Sequence, residues 1–490
     1  MSTELIDLKT LFNEYWPHLV LVFSICAAAV AATHAAMTKV DVRAAIGWVG
    51  IILFSPLIGA TLYFIAGINR IRRDQISLER EKSLKHYARM IDVPVSDDEI
   101  AQMSSPQFVS LRRLGDRVSR FPVRADNSVQ LLAGGDEAYP AMLEAIRQAR
   151  GTIALQTYIF DNDAVGRLFV DALKAARDRG VKVRVLIDSI GSKYSRPPIV
   201  GLLRRHGVDV ALFMTNRFGM RMPYANLRSH RKILVIDGCI GFTGGMNIRA
   251  SFLSSIAKEK TDKDTHFRVE GPVVMQLMSV FAQDWEFTTR EALSYEDWRC
   301  DVWDAPAPRV PARCVRSGPD RMLLSTHNML LGAFAVAQKH IRIQSPYFLP
   351  DVVLLGAINT AARRGVRVDI VIPGSNNLKL VNYAMTAQLD QVIANGCYVW
   401  RTRGNFNHSK LVTIDGAWSY FGSSNMDPRS LRLNFELDIE VYSREMAQQI
   451  EAKIDAEISN ADLVSLKMLK ALPFRKRLRN KIIWLASPYL

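Results

Sequence analysis

The feature that most constrains this chain is an internal copy. His230-x-Lys232, then Asp237, then Gly244-Gly245-x-Asn247 recurs downstream as His408-x-Lys410, Asp415 and Gly422-Ser423-x-Asn425, every matched pair offset by 178. Identical spacing in two places implies a duplicated unit and hence two similar lobes. The runs KILVI and KLVTI are apolar and β-branched, so each reads as a buried strand. Residues i and i+2 of a strand share a face, so each His projects beside its Lys. Asp237-Gly238 and Asp415-Gly416 are tight-hairpin signals, which makes both aspartates turn and scaffold members of their motifs.

One His, one Lys and one Asn per lobe suit an anion. A protonated lysine does not ligate metal, and its partners here are not carboxylates, so the pattern argues against a two-metal site. Two lysines and two asparagines can hold a phosphate. Two histidines on opposite sides of it can divide covalent work, one attacking phosphorus, the other protonating the leaving oxygen and then deprotonating an incoming hydroxyl. The residues alone do not say which attacks.

At these motifs the chain resembles the phospholipase D superfamily, named for its paired HKD triplets, and within it the bacterial cardiolipin synthases. The resemblance runs from about Pro122 to about Tyr442 and includes LQTYIFDND, IQSPYFLPD and GSSNMDPRSLRLNFELDIEV. It implies a metal-free, cofactor-free phosphatidyltransferase that works through a phosphohistidine at the lobe interface. His230, Lys232, Asp237, His408, Lys410 and Asp415 become the catalytic set, with His230 matching the nucleophile and His408 the general acid/base. Lys232, Asn247, Lys410, Ser423 and Asn425 match the phosphate binders, and Glu436 and Asp264 the carboxylates that orient a catalytic histidine. The expected reaction joins two phosphatidylglycerols into cardiolipin and glycerol. Hydrolysis to phosphatidate, or a phosphatidylethanolamine donor, is the alternative.

The expected fold is α/β, two phospholipase D-like lobes, each a mixed sheet flanked by helices, related by a pseudo-twofold and preceded by a two-helix transmembrane hairpin. Trp16–Met37 and Ala44–Asn69 carry no Asp, Glu, Lys or Arg, and each is long enough to span a bilayer. A cleaved signal peptide fits the first run poorly, because Glu4, Asp7 and Glu14 precede it against one Lys9. Arg70, Arg72, Arg73, Arg80, Lys82, Lys85 and Arg89 follow the second run, which by the positive-inside rule puts the N-terminus and the catalytic lobes on the cytoplasmic face of an inner membrane. The five cysteines show no C-x-x-C pairing and read as reduced thiols, in keeping with that side.

The domain boundaries expected are 1–73 for the hairpin, 74–120 for a juxtamembrane helix and linker, 121–287 and 320–460 for the lobes, 288–319 for a Pro-rich inter-lobe linker, and 461–490 for a basic tail. TIALQTYI, Val165–Arg179 and VKVRVLID form a strand–helix–strand unit, repeated by IRIQSPYF, Val352–Arg364 and VRVDIVIP. Gly180 and Gly365 sit where helix C-caps belong. The stretches 192–224 and 375–385 precede the two motifs and could form an apolar rim for acyl chains or pack as ordinary loops. The chain's net charge of +15 favours an anionic partner. The tail, with seven Lys or Arg and no acid from Leu466 to Leu490, could lie on an anionic membrane or pack on the second lobe. No separate nucleic-acid module is recognisable, so membrane phospholipids are the expected partners.

Overall fold

In the computed structural model, residues 2–39, 41–68, 77, 80, 95–215, 226–301 and 305–487 are described. The chain forms two compact units, Met1–Arg72 and Arg73–Leu490. In the first, the helix Ser2–Thr38 contains a 27-residue stretch, Phe12–Thr38, long and apolar enough to cross a membrane. It is the one such helix among the described residues. The second apolar run does not form one continuous helix. It breaks at Ser55 into Val42–Phe54 and a shorter helix that opens with Pro56 at its first position. Proline lacks the N–H that would continue the first helix but is well suited to start the next. The helices pack through Ala28, Ala35, Ile52 and Tyr63, where small side chains allow close approach. Leu19, Phe23, Val30, Leu53 and Phe54 point outward, exposed.

The second unit is organised by one sheet of sixteen strands among the described residues. In the first lobe the order is Asp209–Phe213, Lys182–Asp188, Thr152–Thr157, Ile233–Ile236, Ile240–Gly244, Thr265–Glu270, Arg124–Ala133. The second lobe repeats it as Tyr398–Thr402, Arg367–Pro373, His340–Gln344, Leu411–Ile414, Trp418–Gly422, Asn434–Tyr442, Val310–Ser317. Within each lobe the strands joined by the crossover helices Ala164–Asp178 and Val352–Arg363 run parallel, and the motif hairpins add antiparallel strands. Gly180 and Gly365 end those helices at φ 93° and 91°, a conformation glycine adopts without penalty. Arg124–Ala133 pairs antiparallel with Val310–Ser317, so the pseudo-twofold passes between them and the lobes share a continuous sheet.

Three expectations change here. The proposed linker 288–319 contains the central strand Val310–Ser317, fully buried between Arg124–Ala133 and Asn434–Tyr442. Its prolines hid it, although Pro311 sits at the second position, where the ladder is irregular. The tail is not separate at its start, since Ala461–Val464 adds an edge strand beside Tyr398–Thr402. Cys239 and Cys300 are not free thiols. They are disulfide-bonded across 61 residues because the Asp237-Gly238 turn lies against the backbone of Trp298–Cys300. Spacing alone could not show this tertiary meeting. Much of the basic segment after residue 69, and the stretch 216–225 with Phe218, Met220 and Met222, lie outside the described residues.

The buried histidines give the fold a pH signature. His266 is nearly inaccessible and burial pushes it down to about 4, while His408 is held at about 3. Both are neutral when folded and take up a proton near pH 6.5 when unfolded. Between pH 6.5 and 4 the unfolded state therefore binds more protons, and stability falls as pH falls. For His266 the expected loss by pH 4 is on the order of 3 kcal/mol. Urea unfolding at stepped pH checks this, and His266→Leu should flatten the slope in that window.

Candidate active site

The motif strands end at the lobe boundary, and each motif histidine is held by the opposite lobe. His230 Nδ1 lies 3.0 Å from both the Glu436 carboxylate and the Ser423 carbonyl. Both neighbours can only accept, because Glu436 is ionised down to about pH 2 by the His230 and Lys232 that offset its burial. Nδ1 must carry the hydrogen, which leaves the Nε2 lone pair free. His408 Nδ1 lies 2.9 Å from Asp264, with Lys410 Nζ 2.8 Å away on the same atom; Asp264 is held ionised and can only accept, so a hydrogen on Nδ1 directed to it leaves Nε2 free. The backbone crosses as well, for the His230 amide donates to the Phe435 carbonyl and the His408 amide to the Lys263 carbonyl. The two rings stand 6.4 Å apart, centroid to centroid, nearly perpendicular. Both line one cavity of about 500 Å³.

Lys232 Nζ donates to the His230 carbonyl at 2.6 Å, and Lys410 Nζ to the His408 carbonyl. Burial pushes these ammonium groups down to about 7 and about 8. At neutral pH Lys410 is largely charged and Lys232 about half charged, and their desolvation strengthens the pull of each charge on an anion. Asn247 and Asn425 line the cavity. Asn247 Oδ1 accepts from the Ile159 amide at 3.1 Å, which turns its amide group inward, and Asn425 Oδ1 is buried without a hydrogen-bond partner among the described residues. The double glycine of the first motif has a steric cause, since a Cβ on Gly245 would overlap the Asp264 carboxylate that holds His408.

A pH dependence follows. The free site loses its lysine charges as pH rises through 7 to 8, so kcat/KM should fall by about tenfold per pH unit between 7 and 8 and, with both charges lost, by about a hundredfold per unit above pH 8. A bound phosphate anion favours the charged lysines, so kcat should hold to higher pH than kcat/KM. A profile of kcat/KM that is flat to pH 10 would contradict these roles for Lys232 and Lys410.

Other sequence-assigned residues stand apart from the cavity. Asp237 accepts the amides of Arg150, Gly151 and Thr152 at 2.7–2.9 Å, and Asp415 those of Gln338, Lys339 and His340. Each clamps the start of its lobe's first core strand. They are scaffold residues, and their inclusion in the catalytic set is corrected by this geometry. Ser423, expected among the phosphate binders, is fully buried and its hydroxyl donates to Glu436 at 2.5 Å. It positions that carboxylate instead, with Ser430 and Asn434, which donate to the other oxygen.

Sequence reading missed several members of the site. Tyr158 stacks edge-on against His230 at 5.3 Å, and Tyr347 and Phe406 flank His408 at 6.0 and 5.7 Å. Both tyrosines lie in the quoted strand-end segments, so their position was visible while their direction was not. Arg231, between His230 and Lys232, points the other way and pairs with buried Asp284 at 2.7 Å. Strand alternation predicts that direction, but nothing in the sequence marks Asp284, 53 residues away.

The family model described as "Cardiolipin synthase, PLD-like domain" matches residues 142–285 and 330–458, the two lobes. A second, described as "Phospholipase_D-nuclease N-terminal", matches residues 26–67. Cardiolipin synthase A of Pseudomonas fluorescens is 31% identical over 464 residues, 94% of this chain and 95% of that protein. A probable cardiolipin synthase of Bacillus subtilis, YwiE, is 29% identical over 429 residues, 85% of this chain and 83% of that protein. Among solved structures, the phosphatidylserine synthase of Haemophilus influenzae superposes with a TM-score of 0.59 at 16% identity, covering 78% of this chain and all of that one, and so shares the fold. The chain belongs to the phospholipase D superfamily and, within it, to the cardiolipin synthase family of phosphatidyltransferases.

Proposed function

We propose that the protein transfers the phosphatidyl group of one phosphatidylglycerol to a hydroxyl of a second, giving cardiolipin and glycerol. The observation that carries this reading is the pair of histidines in one cavity, each fixed through Nδ1 by a carboxylate of the other lobe. His230 Nε2 attacks phosphorus while Lys232, Lys410, Asn247 and Asn425 hold the phosphate oxygens. His408, protonated in the substrate complex, gives its proton to the departing glycerol oxygen. Neutral again, it takes the proton of the second lipid's hydroxyl, which displaces His230 and restores the free enzyme. Burial, together with the Lys410 charge beside it, holds His408 neutral in the empty site; the arriving phosphodiester anion supplies the charge that favours its protonation. The apolar surroundings of Tyr347, Phe406 and Leu378 limit competition from water. The test is product analysis of the full chain in phosphatidylglycerol vesicles. Cardiolipin and glycerol in equal amounts support the reading; phosphatidate alone makes the protein a hydrolase.

We also infer that the catalytic unit docks on an anionic membrane through its C-terminal helix. Phe474–Leu485 packs on Lys379–Ile393, with Arg479 stacked on Tyr383 at 3.6 Å and Lys481 donating to the Ala387 carbonyl. Its other face leaves Phe474, Leu478, Ile482 and Leu485 exposed at helical spacing, beside the cations Arg475, Lys476 and Arg477. An apolar stripe bordered by exposed cations suits an acidic leaflet. Leu378 and Leu380, on the supporting segment, are exposed as well, and Leu378 lines the cavity. Reversing Arg475, Lys476 and Arg477 to Glu should lower turnover on phosphatidylglycerol vesicles at least about fivefold; equal turnover would refute the docking. The charge distribution after residue 69 supports a cytoplasmic position for this unit, although the Cys239–Cys300 bond removes the cysteine argument for it. Labelling of single cysteines in intact cells with an impermeant maleimide tests the orientation.

A further inference from the structure

The frame of the active site is symmetric, but its lining is not. The 178-residue offset matches Arg228 with Phe406 and Arg249 with Asp427. The 172-residue offset that relates Asp264 to Glu436 matches Asp262 with Asn434. All six of these lining residues border the cavity, and each pair differs in charge. The two histidines thus face chemically different walls.

Asp262 and Phe406 lie on the His408 side of the wall by their chain neighbours, and Arg249 borders the same cavity with its charge in reach of Asp262. Asp262 immediately precedes Lys263, whose carbonyl accepts the His408 amide at 2.7 Å, and stands two residues before Asp264, which holds the His408 ring. Its own amide is fixed to the Ser251 carbonyl at 2.8 Å, so its place beside His408 is set by backbone on both sides. Arg249 is held by Asp161 at 2.8 Å; burial raises the Asp262 carboxyl, and the Ser251 hydroxyl and then the Arg249 charge moderate that rise.

The alcohol that leaves and the alcohol that enters both exchange a proton with His408, so they occupy the same place. An apolar wall there would accept any alcohol. A carboxylate next to a guanidinium offers acceptors and donors together, which adjacent hydroxyls can satisfy and a single hydroxyl cannot. Phosphate fits this wall poorly, because Asp161 already balances Arg249 and Asp262 leaves the group net negative. We infer that Asp262 and Arg249 form a polyol subsite beside His408, which selects a glycerol headgroup on both the departing and the accepting lipid. This inference rests on the transferase reading and assigns the group that transferase accepts.

The test is acceptor competition in the full chain. Phosphatidylglycerol in mixed micelles is the donor, and labelled glycerol, ethanol and ethanolamine are offered at equal concentration. The native protein should transfer to glycerol at least about tenfold faster than to ethanol. Asp262→Ala should cut that preference about tenfold, and Asp262→Asn, which keeps hydrogen-bonding groups, should fall between. The phosphatidylethanol rate reports in each variant on whether His408 is still in place. An unchanged preference in Asp262→Ala, a loss of both transfers in step, or faster transfer to ethanolamine than to glycerol in the native protein would each overturn the subsite. Phosphatidate as the sole product from native protein would instead overturn the transferase reading, so the two failures are distinguishable.

Discussion

His230→Ala is expected to lower cardiolipin formation by at least about 10⁴-fold, and His408→Ala by a similar factor, but the two should fail differently. In the proposed mechanism His230 supplies the electron pair that bonds to phosphorus, and besides His408 no described side chain lining the cavity offers a comparable free nitrogen. Without it no covalent intermediate forms with any donor. His408 supplies a proton that a glycerol oxygen needs in order to leave. A phosphatidyl donor carrying p-nitrophenol does not need that proton, because the phenolate is already a good leaving group. His408→Ala should therefore release about one equivalent of p-nitrophenol in a burst and then stall, since nothing deprotonates the acceptor. His230→Ala should show no burst. Identical behaviour of the two variants on this donor would contradict the assigned division of labour.

The second large effect concerns stability. Asp284, fully buried, accepts from Arg231 at 2.7 and 2.8 Å, from Gln156 at 2.7 Å and from Arg80. Arg231 also reaches the carbonyls of Glu436 and Ser317, so the network braces the backbone on which both His230 and Glu436 sit. Arg80 lies over the Phe435 ring at 4.2 Å. The attraction of Arg231 and Arg80 outweighs burial and holds the Asp284 carboxyl below its ordinary value. Removing Asp284 leaves the Arg231 guanidinium in the interior without this counter-charge and takes one carboxylate from Arg80, which keeps Asp320 at 3.5 Å. Asp284→Ala should cost about 3–5 kcal/mol, seen as a lowered urea midpoint of the second unit's unfolding in the full chain. Replacing the pair together, Arg231→Met with Asp284→Leu, should cost less than Asp284→Ala alone, because no buried charge is then left unpaired between those two. Equal losses would mean that packing, not charge compensation, dominates.

Much of this site was legible in the sequence because it repeats. The 178 offset located both histidines, both lysines and both asparagines, and strand alternation told which side chains travel together. It also marked Asp237 and Asp415 as turn residues, and the turns at φ 50° and 54° agree. What stayed hidden depends on contacts between lobes. Glu436 was identifiable by resemblance, but its service to His230 of the other lobe, and that of Asp264 to His408, required the shared sheet to be in view. Ser423 was read from its motif position as a phosphate binder because sequence does not show that a carboxylate lies 2.5 Å from its hydroxyl. The stretch holding Val310–Ser317 reads as linker because Pro306, Pro308 and Pro311 punctuate it and it shows little apolar periodicity, although this strand carries the pseudo-twofold contact. The second apolar run met the length and composition of a span, yet Pro56 divides it.

The central claim is that His230, poised by Glu436 across the lobe boundary, becomes covalently phosphatidylated. The most direct measurement is base-quenched trapping with a p-nitrophenyl phosphatidyl donor in His408→Ala, followed by mass spectrometry of the peptide that contains His230. The account predicts a phosphatidyl group on His230 in near-stoichiometric yield, and its absence when Glu436→Gln is added, or a yield reduced about a hundredfold at early times. Turnover of the donor with no adduct on His230, or an adduct on another residue, would contradict it.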